Sequence, residues 1–129
     1  MDNKSYPIEL KSITKKENNY QIVVSSKVDL KKIKSKHHFT TERFVADLKN
    51  KKFDQQDFVF EGSFHTENQQ KINNLYYYTI NLKIRNKKGL NKLTPNDTIK
   101  GYLQLSYHNG RTYPTKSIEI PASKILDLK

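Results

Sequence analysis

The 129-residue chain carries 24 Lys plus Arg against 13 Asp plus Glu, a formal charge of +11, and contains neither Cys nor Trp. That length suits a single domain spanning residues 1–129, large enough to bury a core without metal or disulfide staples. The missing sulfur excludes disulfide scaffolds, thiolate zinc sites, iron–sulfur clusters and cysteine nucleophiles, and no apolar run reaches the roughly 18 residues of a membrane helix. The opening residues, MDNKSYPIEL, hold no apolar signal-peptide core, so residues 1–4 are expected to fray and a cytoplasmic location is favoured.

Along the chain, apolar residues recur with period 2. Tyr6, Ile8 and Leu10 alternate with polar neighbours and predict a first strand; Tyr20, Ile22, Val24, Val28 and Leu30, with Ser26 in the skipped place, predict a second. The polar run Lys15 to Asn19 between them predicts a hairpin with a longer loop. The stretch VDLKKIKSKHH, residues 28–38, has room for one or two helical turns with Leu30 and Ile33 on a common face. Phe44, Ala46 and Leu48 mark a third strand, and Phe58, Phe60, Gly62 and Phe64 a fourth. The fifth is the clearest: in LYYYTINLKIR, Tyr76, Tyr78, Ile80, Leu82 and Ile84 face one way, and Tyr77, Thr79, Asn81, Lys83 and Arg85 the other. Ile99 to Tyr107 forms the sixth, Asn109-Gly110 supplies a tight turn, and Tyr113 to Ile120 the seventh. The tail SKILDLK predicts one more short helix. Seven alternating segments between polar turns define an all-β domain of about seven antiparallel strands.

Catalytic motifs are absent from the pattern. His37, His38, His65 and His108 show no metal-ligand spacing, and Asp54 and Asp57 in FDQQD read as turn residues bonding their own backbone. With four glycines in the chain there is neither a nucleophile elbow nor a phosphate loop. The expectation is a non-enzymatic protein with no catalytic residues, no metal site and no cofactor.

The charge is the remaining clue. All but Arg43, Arg85 and Arg111 of the 24 cations are Lys, mobile point charges rather than the planar forks that read guanine. They concentrate at Lys31, Lys32, Lys34 and Lys36, beside His37, His38 and Phe39, and again at Lys83, Arg85, Lys87, Lys88 and Lys92 on the polar face of the tyrosine-rich strand. Cations interleaved with an aromatic such as Tyr77 suit single-stranded nucleic acid, whose phosphates they track while bases stack. The competing reading is structural: strand tyrosines pack across strands, lysines keep edges from pairing, and an A/T-rich genome enriches Lys and Asn.

Two resemblances compete. Gly101-Tyr102-Leu103-Gln104, the turn at Gly110-Arg111, Tyr113 and the segment Ile118 to Ile125 resemble the last strands of bacterial single-stranded-DNA-binding proteins of the OB fold; Val59 to Phe64 and Thr79 to Ile84 are similar to that family's first two. The family's middle strand and helix would have to fit between Arg85 and Asp97, which is too short, and residues 1–55 have no counterpart. The strand number resembles an immunoglobulin-like sandwich, as does Leu93-x-Pro95-x-Asp97-x-Ile99 before a Tyr strand. Gly101 stands where that family's corner tyrosine belongs, Tyr102 comes one place late, and its Cys–Trp–Cys core is missing. Because it uses every strand, the Ig-like sandwich is favoured and the OB-type barrel is the alternative. The function expected is a binding module for an anionic partner, single-stranded nucleic acid, through Lys31, Lys32, Lys34, Lys36, Lys83, Arg85, Lys87 and Lys88, with Tyr77 and Tyr102 as stacking residues. The alternative is a protein partner, in an adhesion or assembly role in a bacterial mobile element or cell-surface apparatus.

Overall fold

A computed structural model describes residues 5–17, 19–49, 60–84, 93–107 and 110–128. In chain order these form β1 (Ile8–Lys16), β2 (Asn19–Ser26), α1 (Leu30–His37), β3 (Thr41–Leu48), β4 (Phe60–Phe64), a 3-10 turn (Thr66–Asn68), β5 (Gln70–Ile72), β6 (Leu75–Ile84), β7 (Thr98–Ser106), β8 (Thr112–Pro114), β9 (Ile118–Pro121) and a single turn, α2 (Ser123–Leu126). All the pairings are antiparallel, and the nine strands make one sheet in the order β1-β2-β6-β4-β3-β7-β8, with β5 added to β6 and β9 to β7. The all-β class therefore stands, but the ladder runs unbroken across one curled sheet, a half-barrel, where two facing sheets were favoured. Its ends approach each other at one point: the Lys116 N–H, in the bend between β8 and β9, donates to the Tyr6 carbonyl at 2.9 Å.

Alternation puts the apolar set of each strand on the concave side. Register lines up Val24 with Tyr78, Ile22 with Ile80, Gly62 with Leu82 and Phe44 with Leu103, and Ile22, Val24, Ile80, Leu82, Ile99, Leu103, Leu105 and Ile120 are fully buried there. In β1 the sequence period breaks between Leu10 and Ile13; a register shift between Leu10 and Ser12 absorbs one residue, so that both return to the inner face. The β1–β2 turn is tighter than the longer loop expected, because Lys16 already pairs with Asn19, with Glu17 at φ 54. Val28 and Leu30 are buried, but they lead into α1 rather than continuing β2. The expected seventh strand is two, β8 and β9, pairing with successive parts of β7. Between β4 and β6 the chain makes a further hairpin, turning at Asn73 and Asn74 (φ 51 and 67) as a two-residue connection requires. Phe58, Asn109, Asp54 and Asp57 lie outside the described residues.

One seam in the sheet is nearly open. β3 and β4 share a single residue pair, Phe44 opposite Gly62. Phe44 is wedged between two glycines: a Cβ at Gly62 would stand 2.6 Å from the Phe44 carbonyl oxygen, and one at Gly101 would overlap the Phe44 ring. Neither glycine is there for a turn; both leave space for one buried aromatic.

Candidate anion-binding surfaces

Strand direction assigns the basic residues to opposite ends of the half-barrel. β2 leaves the sheet at Ser26, opposite Tyr76, and enters α1 four residues later. The other end of the same ladder pairs Asn19 with Lys83. Seven residues of strand separate Tyr76 from Lys83, roughly 24 Å. Lys31, Lys32, Lys34 and Lys36 are thus at the α1 end and Lys83 is at the far end, while Arg85, Lys87 and Lys88 lie outside the described residues. Tyr77 stands on the outer face of β6 at the α1 end, between Ser25 and Gln70, and is half-buried. Tyr102, also half-buried, is on the outer face of β7 opposite Val45, three strand spacings or about 14 Å from Lys83.

α1 is held in place by buried polar contacts that no local pattern announces. Asp29 caps its N-terminus, the carboxylate accepting the Lys32 N–H at 3.0 Å and the Gln69 amide at 2.9 Å. Burial pushes this carboxyl up, but bonds from Gln69, the Lys32 N–H and Tyr76, with the Lys32 charge, outweigh it and hold the pKa below its ordinary value. The Tyr78 hydroxyl accepts the Leu30 N–H at 2.9 Å, donates to the Val28 carbonyl at 2.6 Å, and lies 2.8 Å from the Gln69 side-chain oxygen. Burial raises its pKa well above the usual phenol value, which keeps it a neutral donor. At the other end of the helix Lys34 pairs with Glu42 at 3.0 Å, and Glu42 accepts the Thr66 N–H at 2.6 Å. Burial raises the Glu42 pKa, yet the Thr66 bonds and the Lys34 ammonium bring it below normal. His38, at φ 56, ends the helix, and the Tyr107 hydroxyl donates to the His37 carbonyl.

These contacts sort the predicted cluster. Lys34 faces the sheet and is consumed by Glu42, which takes it off the list of free cations. Lys31, Lys32 and Lys36 are exposed, together with Lys27 just before the helix. At 100° per residue the three helical lysines and Ser35 fall within one solvent-facing sector. No acidic residue lies within the helix, and Lys32 and Lys36, four apart, repel each other. Lys71 on β5 adds a further cation to this end, its ammonium 5.7 Å from the Tyr76 ring. Asp29, Glu42 and Glu67 are the nearby carboxylates, the first committed to capping and the second to Lys34.

At the far end the strand cations face acids instead. Glu61 is opposite Lys83, Lys100 sits between Asp47 and Glu119, and Lys49 is 2.6 Å from Glu119, whose pKa is lowered by that bond. Among the described residues no three His, Cys, Asp or Glu converge as a metal site would need, and no helix is long and apolar enough to cross a membrane. Residues missed by sequence reasoning are Lys71, Gln69, Tyr78 and Arg43. The sequence signals Tyr78 only as an inward strand residue and Arg43 only as one of three arginines. Comparison with protein families, with curated proteins and with solved structures found no match.

Proposed function

We propose that this protein is a non-enzymatic binding module that holds the phosphates of single-stranded nucleic acid on the solvent face of α1. The observation that carries the reading is the exposed Lys31, Lys32 and Lys36 sector on a helix without a carboxylate, extended by Lys27 and Lys71. Like charges crowded on eight residues cost helix stability, a cost that a polyanion offsets when it neutralises them. Lysine point charges follow a backbone without reading bases, so binding is weakly dependent on sequence and strongly dependent on salt. Tyr77, at the same end of the sheet, is the stacking residue the arrangement favours over Tyr102. For a protein partner the surface offers less. Ile72, 49% exposed, is the one large apolar side chain left out among the described residues, far short of an apolar docking patch.

The test is a titration of labelled oligonucleotide at two salt concentrations. Three phosphate contacts predict a log–log salt slope of about −2. In the variant K31E/K32E/K36E both the affinity and most of that slope are lost, whereas K83E binds like the parent. Absence of binding at about 50 mM salt, or a triple variant that binds normally, overturns the reading.

A further inference from the structure

The β3–β4 seam is a second feature of the outer surface, separate from α1. Because the two strands share only the Phe44 and Gly62 pair, a groove of about 570 Å³ opens between them, within the range of small-ligand clefts. Arg43, Ser63, Asn81, Lys83, Val45 and Glu61 are among its lining residues. Register explains why they meet: Asn81 pairs with Ser63 and Lys83 with Glu61 on one side, and the Phe44 and Gly62 pair brings Arg43 and Val45 alongside Ser63 and Glu61 on the other. All six lie on the outer face, away from the apolar core.

Two cations and two carboxylates line the groove, and one of the carboxylates, Glu42, is already spent on Lys34 and the Thr66 N–H. Arg43 and Lys83 are exposed and have no hydrogen bond or ion pair among the described residues, although each stands in a sheet where other strand cations, such as Lys49, are paired. A guanidinium with parallel N–H donors, an ammonium, a hydroxyl and a side-chain amide line one cleft. This is a donor set for tetrahedral oxyanions, in which the Arg fork takes two oxygens and Lys adds a point charge. Two cations match the charge of a phosphomonoester, about −1.5 to −2 at neutral pH. The cleft is larger than a phosphate needs, and the half-buried Val45 and Ala46 are in its lining, which suit the less polar body of an organic phosphate. Glu61 works against an anion and sets an upper limit on affinity.

We propose that the β3–β4 groove is a binding site for a small organic phosphomonoester of nucleotide size, held through Arg43 and Lys83, with Ser63 and Asn81 as neutral donors. It is independent of the polyanion surface on α1, so neither proposal depends on the other.

Adenosine 5′-monophosphate, adenosine and inorganic phosphate, each titrated into the full chain and followed by amide chemical shifts, provide the test. The nucleotide is expected to move the Arg43, Val45, Ser63, Asn81 and Lys83 amides saturably, more tightly than inorganic phosphate, and adenosine is expected to leave them in place. R43A and K83M should each weaken binding about tenfold, the loss of one charge-assisted bond. E61Q should tighten it, and K31E/K32E/K36E should leave it unchanged. Both cationic side chains are exposed and make no ion pair among the described residues, so the shift dispersion of the two variants should stay native-like. Groove shifts that do not saturate, that survive in both R43A and K83M, or that adenosine reproduces overturn the proposal. Inorganic phosphate binding as tightly as the nucleotide overturns the assignment of an organic ligand.

Discussion

The two ends of the half-barrel use the same residue type in opposite ways. At the α1 end, Lys31, Lys32 and Lys36 project from a helix whose eight residues include no acid, with Lys32 beside the capping Asp29, and Lys34 is spent fastening the helix to Glu42. At the far end, Lys83, Lys100 and Lys49 each stand opposite or beside a carboxylate. Formal charge therefore says little about which end attracts an anion. Cross-strand pairs cancel their own field at short range, whereas an unpaired helical sector adds up, and salt screens it only beyond about 10 Å.

The largest effect that tests this contrast is on nucleic-acid binding: reversing the three α1 lysines should abolish it, while reversing Lys83 and Lys100 together should change affinity less than about twofold, since both lie at the far end of the sheet, more than a screening length from α1. Nucleic-acid affinities that respond equally to both changes would erase the difference between the ends. Next in size is the anchoring of α1. Tyr78→Phe strands the Leu30 N–H and the Val28 carbonyl in a buried site and should cost about 1–3 kcal/mol in urea unfolding, weakening oligonucleotide binding as the helix loosens. Gly101→Ala, which drives a methyl into the Phe44 ring, should cost about as much, yet leave binding by the folded fraction intact. Comparing those two variants separates loss of helix position from loss of stability.

Smaller, but diagnostic in sign, is the response to acid. Glu42 and Asp29 have folded-state pKa values below their ordinary 4.5 and 3.8. Their stabilisation is fully present above those ordinary values and is lost as pH falls through the lower, folded ones. Denaturant midpoints should be flat near neutrality and fall below about pH 4.5, and Glu42→Gln should flatten part of that fall. The smallest change belongs to the far end: Lys49→Ala removes an exposed pair with Glu119 and should leave the midpoint within error of the parent, because exposed pairs are worth little.

Much of this architecture is visible in local pattern. The alternation from Tyr76 to Ile84 correctly divides β6 into a buried and an outward face, and the helix over VDLKKIKSKHH is present, with Leu30 buried and Ile33 partly so. Period-2 patterning is a property of consecutive residues, so it survives without knowledge of neighbours. The β5–β6 hairpin was missed because QKI is exposed at all three places and shows no alternation. The Ser26 to Leu30 region is not strand throughout because Val28 and Leu30 are buried for a tertiary reason, the Tyr78 hydroxyl of a distant strand holding the Val28 carbonyl and the Leu30 N–H.

Sequence alone thus determined the all-β class, the inward and outward faces of most strands, and where along the chain the cations cluster, since each follows from side chains a few residues apart. Only the tertiary structure decided that β2 pairs with β6 and that β3 lies between β4 and β7, that Gly62 and Gly101 exist to admit Phe44, and that the Lys31 to Lys36 group and Lys83 point from opposite ends. Strand partners are chosen by the shape and burial of surfaces remote in sequence. Charges close along a chain, or far apart on it, acquire their neighbours only when those surfaces meet.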